Sequence, residues 1–277
     1  MNIPYISRRI KNKLRKILAS TQHDTNHDSS NRMPTMQSSL YALLESGVDV
    51  ETVLDVGVLT ETKPLMEVFP TTEHHLFEPV SAHSDAIAAN YKNIKHELHQ
   101  LALSDHDGDA YLACKSINKD DTVSHSEVVS TEQEASNISG LIRYEKIKQS
   151  KLDTIIENSD IPAPYLLKID VDGLELAILS GATNTLKKTS IIVIEAPINK
   201  VITPYFFERS SFLFEHGFYL LDIVDFAYYD GILWQVDLVF VRKDIVDNND
   251  RLRPFEADSF SYENHKWDSL SDRINQM

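Results

Sequence analysis

The stretch YLLKIDVDGLELAILSGA, residues 165–182, places Lys168, Asp170, Asp172 and Glu175 inside a run that otherwise has the composition of protein core. Charges taken out of water are costly, so each must be paired, hydrated or turned toward a ligand. Carboxylates at the end of an apolar strand suit a proton acceptor, and a lysine beside them favours their ionised form. Gly173 lets the chain turn sharply into the next helix. A purely structural alternative pairs Lys168 with Glu175 and uses Asp172 as a helix cap.

Two more acids stand at similar places. Asp55 ends the apolar run TVLDVG, with Gly57 free to make a tight turn, and Glu78 ends HLFEP, where Pro79 stops the strand. A carboxylate about twenty residues after a strand–glycine turn is placed to accept hydrogen bonds from two ribose hydroxyls. The three-glycine dinucleotide fingerprint is absent, because Leu59 and Glu61 stand where later glycines would fall. An acid at that turn repels a pyrophosphate and tolerates a ligand bearing positive charge, which argues against NAD. Glu195, in VIEAP, ends the following strand and is expected at the same cleft edge. His74 and His75 adjoin on a strand and so face opposite ways, which prevents easy chelation of one ion between them. No metal site is expected. The aromatic residues Tyr205, Phe206, Phe207, Tyr228, Tyr229 and Trp234 suit either core or stacking against a sugar ring.

These residues need a frame, and the pattern supplies one. Short apolar runs alternate with helical periodicity: MQSSLYALLESG before TVLDVG, VSAHSDAIAANYKN after HHLFEP, LELAILSGATNTLKK between YLLKIDV and SIIVIEA. Strands separated by helices of this length predict βαβ units on a parallel sheet covered on both faces. FYLLDIVDF and QVDLVFVRK have too short a link for a parallel crossover and predict an antiparallel pair at one edge. The expected fold is a doubly wound α/β sheet with a final hairpin and a ligand site beyond the carboxyl ends of its strands.

Composition bounds the partners. The chain has 277 residues and a net charge of −15, which excludes a nucleic-acid binder that works through its whole surface. Small molecules, glycans or proteins are the expected partners. A single cysteine, Cys114, excludes an internal disulfide framework and makes a reducing cytoplasm the default compartment. Arg8, Arg9, Lys11, Lys13, Arg15 and Lys16 precede the first acid, Asp24, and alternate with Ile6, Ile10, Leu14, Ile17 and Leu18 at helical spacing. Residues 3–18 therefore suit peripheral contact with an inner membrane face or a partner enzyme, or packing on the chain's own domain. Three regions are expected: a basic helix and polar linker over 1–35, a catalytic domain over 36–243, and a polar tail over 244–277.

The motifs TVLDVG, HLFEPV, LALSDHDGDAYL, KLDTII and LLKIDVDGLELAILSGA followed by IIVIEA, in that order, resemble the FkbM-type S-adenosylmethionine-dependent O-methyltransferases. The resemblance runs from about Val53 to Val241. It implies the Rossmann-like class I methyltransferase fold, a doubly wound and mostly parallel seven-stranded sheet with an antiparallel edge hairpin. It also implies S-adenosylmethionine as cofactor and a hydroxyl of a sugar, glycan or related small molecule as acceptor. By the same resemblance, Asp55 and Gly57 underlie the amino-acid end of the cofactor, and Glu78, followed by Pro79, takes the ribose. Asp105 sits near the adenine amino group, with Leu103 or Ala102 as an apolar wall. Lys168, Asp170, Asp172, Gly173 and Glu175 match the signature Lys-Ile-Asp-x-Glu-Gly-x-Glu, with Asp172 where glutamate is usual. Asp170 or Asp172 is then the base, Lys168 holds the carboxylates ionised, and Glu175 and Glu195 lie toward the substrate. Glu61 stands where many members carry a second glycine, so the alternative is a catalytically degenerate binding or scaffold protein on the same fold.

Overall fold

The structure is a computed structural model that describes residues 32–115, 125–171, 173–198, 205–253 and 269–274. Asp172 and the basic segment over 3–18 lie outside the described residues. The chain forms two compact units. One, Met1–Met33 with Tyr262–Met277, contributes the short helix Leu270–Ile274. The other, Pro34–Ser261, holds the sheet.

In chain order this larger unit runs α1 (Met36–Glu45), β1 (Thr52–Val56), α2 (Lys63–Val68), β2 (Glu73–Phe77), a 3-10 turn at Ser81–His83, α3 (Ser84–Asn90), β3 (His96–His99), β4 (Ala102–Leu103) and β5 (Gly108–Lys115). It continues with β6 (His125–Val129), α4 (Glu132–Ser136), β7 (Leu141–Ser150), α5 (Leu152–Glu157), β8 (Tyr165–Ile169), α6 (Glu175–Ser180), α7 (Thr183–Leu186) and β9 (Thr189–Pro197). Then come α8 (Tyr205–Glu215), β10 (Phe218–Tyr229), β11 (Ile232–Arg242) and α9 (Lys243–Asp247).

The seven-stranded sheet has the order β10-β11-β9-β8-β1-β2-β3. Strands β9, β8, β1, β2 and β3 are parallel, while β11 runs antiparallel to both β9 and β10. This is the expected doubly wound class I arrangement with its terminal hairpin. Every residue of β1 and β8 is buried, because helices cover both faces of a parallel sheet. On one face Leu54, Val56, Phe77, Leu167 and Ile169 pack under α5 and α6 through Leu152, Ile156, Ile178 and Leu179. On the other, Val53, Leu166 and Val193 pack under Leu40 and Leu43 of α1 and Leu65 of α2. Helix α1 starts at a Thr35–Ser38 capping box, and Asp225 of β10 accepts from the Met36 amide at 3.0 Å.

The strand order reverses direction between β8 and β1, so their carboxyl ends frame a crevice.

Two features depart from expectation. Strands β4, β7, β5 and β6 form a second, four-stranded sheet between β3 and α5. The alternating exposure along β7 is that of a strand covered on one side. The region after Arg242, expected as a polar tail from Asp244, continues the compact unit: Val246 of α9 is buried in the cluster that holds Val239 and Val241.

Candidate active site

The crevice beyond β1 and β8 is a cavity of about 340 Å³. Val56, Gly57, Leu59, Phe77, Glu78, Pro79, Leu103, Asp170 and Glu195 are among its walls. Gly57 is required by closeness: a Cβ there would lie 1.8 Å from the Asp170 carbonyl oxygen, and its φ of 79° is left-handed. The Asp170 amide donates to the Val56 carbonyl at 3.0 Å, so the tips of β1 and β8 are held together where glycine allows it. Gly173 has open space around it and serves through its φ of 94°, which carries the chain off β8.

The loop after β1 keeps its shape without the later glycines. Leu59 itself takes the left-handed conformation, with φ at 54°, and Glu61 turns to Lys63 at 3.4 Å. Glu78 explains the geometry of Leu59, because its Oε2 accepts from the Leu59 amide at 2.9 Å while Oε1 accepts from the Val80 amide at 2.9 Å. A carboxylate so fixed retains lone pairs for two more donors. His83 Nδ1, buried and without a hydrogen-bond partner, lies 3.6 Å from Glu78 Oε1 on the same wall.

At the β8 tip, the buried Lys168 ammonium lies 3.0 Å from Asp170 Oδ2 and 3.7 Å from Asp55 Oδ1. Burial pushes its pKa down, but the charges of Asp55 and Asp170 outweigh this and hold it above its ordinary value. Asp170 is the reciprocal case. Burial opposes its ionisation, and Lys168 together with a hydrogen bond from Glu195 holds its pKa below the usual range. Its side chain is 44% exposed toward the cavity. Glu195 is pushed up to about 9 by burial and by its hydrogen bond with Asp170. Asp237, the register partner of Glu195 across β11 and β9, is pushed up to about 7 by burial and by the Asp170 charge. At neutral pH the tip thus sets the ionised Asp170 next to a protonated Glu195 that donates to it, with Asp237 midway in its titration.

The structure separates the sequence-predicted residues. Gly57, Glu78, Pro79, Leu103, Asp170 and Glu195 share the cavity. Asp55 does not reach it: its side chain is fully buried, turned to Lys168 and to the Tyr91 hydroxyl, which donates at 3.4 Å. Lys168 also lies behind the wall, orienting Asp170 from below. Glu175, expected on the substrate side, is buried against Arg209 at 2.5 Å, so neither it nor Lys168 forms the pair suggested by the structural alternative. Asp105 is more than half exposed and binds His106 at 2.6 Å, away from the cavity.

Asp237, His83, Gln235 and the β6 residues Ser126 and Val128 escaped the sequence reading. Only Asp237 carried a signal there, a lone acid inside QVDLVFVRK.

The methyltransferase FkbM domain profile matches residues 56–220. The chain belongs to the FkbM methyltransferase family. This FkbM-family chain is also 37% identical over 49 residues to the hexuronic acid methyltransferase AglP of Haloferax volcanii, a match over 18% of this chain and 20% of that protein. Among solved structures, an O-methyltransferase from Bacillus cereus in complex with SAH is 12% identical, with 87% of this chain and 93% of that one covered and a TM-score of 0.42. A precorrin-6y C5,15-methyltransferase from Geobacter metallireducens is 10% identical, with 81% and 96% covered and a TM-score of 0.40.

The family's cofactor is S-adenosylmethionine, and the walls fit it. Glu78 offers acceptors to vicinal ribose hydroxyls, and His83 Nδ1 is an unpartnered polar atom on the same wall. Leu101, Ala102, Leu103 and Val128 offer the apolar slot a purine needs.

Proposed function

We propose that this methyltransferase acts on a hydroxyl of a sugar, glycan or related small molecule, with Asp170 as the proton acceptor. The bound cofactor supplies an electrophilic methyl on a sulfonium. The Asp170 and Glu195 side of the cavity would receive the acceptor hydroxyl and orient it toward the methyl that the cofactor would supply. The hydroxyl proton passes to Asp170 Oδ1 or Oδ2. Lys168 keeps that carboxylate ionised and aimed, and Glu195, as the neutral acid, orients it by donating a hydrogen bond.

The observation that carries the reading is the ionised, half-exposed Asp170 at the cavity end of β8, the lone such acid among three clustered carboxyls. A sugar acceptor is further supported by the exposed Tyr228, Tyr229 and Trp234 on the hairpin next to Gln235, and by the substrate named for the haloarchaeal relative.

The test uses the full chain. Calorimetry with S-adenosylmethionine is expected to show binding that Glu78→Ala abolishes, and a panel of sugars and glycans is expected to yield one that gains the mass of a methyl group. Absence of cofactor binding to the intact protein overturns the enzyme reading in favour of a scaffold.

A further inference from the structure

We propose that His75, Glu97 and His99 form a transition-metal site suited to zinc, at the β2–β3 edge of the main sheet. The parallel register pairs His75 with Glu97 and Phe77 with His99, which sets all three candidate ligands on one face. His75 Nδ1 lies 3.0 Å from His99 Nε2 and 3.8 Å from Glu97 Oε2, and the three ligand atoms fall within 4.8 Å of one another. Two imidazole nitrogens and one carboxylate oxygen are a donor set that zinc accepts, leaving a fourth position for water.

The surroundings favour an ion. His75 is buried while the Glu97 side chain is 61% exposed, which gives an ion a route from solvent and an open face for its fourth ligand. A hydrogen bond between the two rings uses one N–H and one lone pair and leaves Glu97 without a role. Turning both lone pairs to a cation uses all three groups, and it requires only that each ring carry its proton on the other nitrogen.

The site is separate from the methyl-transfer centre but adjoins it. The His99 ring stacks on Phe77 at 4.6 Å, and the His99 carbonyl accepts from the Glu78 amide at 3.2 Å. Phe77 and Glu78 both line the cavity. An ion at this edge would therefore stiffen the wall that holds the ribose acceptor.

The experiment is a calorimetric titration of the chelator-treated full chain with zinc chloride, repeated with cobalt chloride and read by visible absorption. One saturable equivalent is expected, with the cobalt bands of a four-coordinate nitrogen–oxygen site. Glu97→Gln and His99→Gln are each expected to weaken zinc binding by more than about 100-fold, beyond the roughly 10–100-fold that outer-shell changes cost. Thermal midpoints of the metal-free variants should match the parent. No saturable uptake, or unchanged affinity in the variants, overturns the proposal and assigns any bound ion to other histidines. If His99→Gln fails to fold, Glu97→Gln decides alone, because its side chain is exposed.

Discussion

Lys168 is desolvated yet charged because two carboxylates face it, and that arrangement sets apart the acids around it. Asp170→Asn keeps shape and hydrogen bonding but removes the acceptor. It should lower turnover by about 10²–10⁴-fold, the usual range for loss of a positioned base, with cofactor affinity from calorimetry nearly unchanged. Two loop positions predict opposite signs. Gly57→Ala forces a methyl against the Asp170 carbonyl in a left-handed conformation, and should destabilise by about 3 kcal/mol or more. Leu59→Gly relieves the left-handed leucine and should stabilise by up to about 1 kcal/mol. Urea denaturation reads both. At this scale the sequence showed that acids end strands, but not where each carboxylate turns. Strand alternation sends Asp55 inward to Lys168, while Glu78, just past its strand, bends back onto the Leu59 amide.

The tips of β8, β9 and β11 act together, and their acids give the fold a dependence on pH. A carboxyl whose pKa rises on folding binds more protons folded than unfolded, so the stability it contributes is lost as pH climbs to the raised value. For Asp237 that loss runs from the ordinary carboxylate range to about 7, and for Glu195 to about 9. Asp170, held low, works in the opposite sense and only below the ordinary range. His74, His75 and His99, held low by burial, oppose this by adding stability as pH rises to the ordinary histidine value, so the net fall should run from about pH 7 to about pH 9, and Glu195→Gln should flatten it; denaturant midpoints across that range check it, and parallel curves contradict it. The second sheet makes a separate prediction. Val128 of β6 lines the cavity, so Val128→Trp should fill the slot and weaken cofactor binding in calorimetry while the thermal midpoint holds. That sheet was hard to read in advance. DAYLAC and LIRYEKIKQ showed as strands, but alternation does not say which strands pair, and β5 pairs with β7 rather than joining the main sheet.

For the molecule as a whole, the alternation of strands and helices was enough to read the main sheet, because parallel strands buried on both faces leave largely apolar runs such as IIVI, and YLLKI with its single lysine. The extent of the compact unit was less legible. The polar residues after Arg242 resemble a tail, yet α9 inserts Val246 into the core. Because the cavity belongs to one cooperative unit, cofactor binding should be felt globally. At about 100 times the dissociation constant, S-adenosylmethionine adds about 2.7 kcal/mol, a rise of roughly 5–10 °C in thermal midpoint for a domain of this size. Glu78→Ala should abolish that rise in differential scanning fluorimetry. Among the described residues no helix is long and apolar enough to cross a membrane.

The position of β11 governs how the polypeptide matures. It is the last strand of the sheet to leave the ribosome, yet it lodges between β10 and β9. Until residues beyond Arg242 emerge, the outer border of β9 lacks its neighbour and presents Ile191, Ile192, Val193 and Ile194 with unmet backbone groups. A nascent chain halted before Ile232 would therefore be adhesive, and Asp237 would not yet face Glu195, so the acid cluster beside Asp170 would still be unfinished.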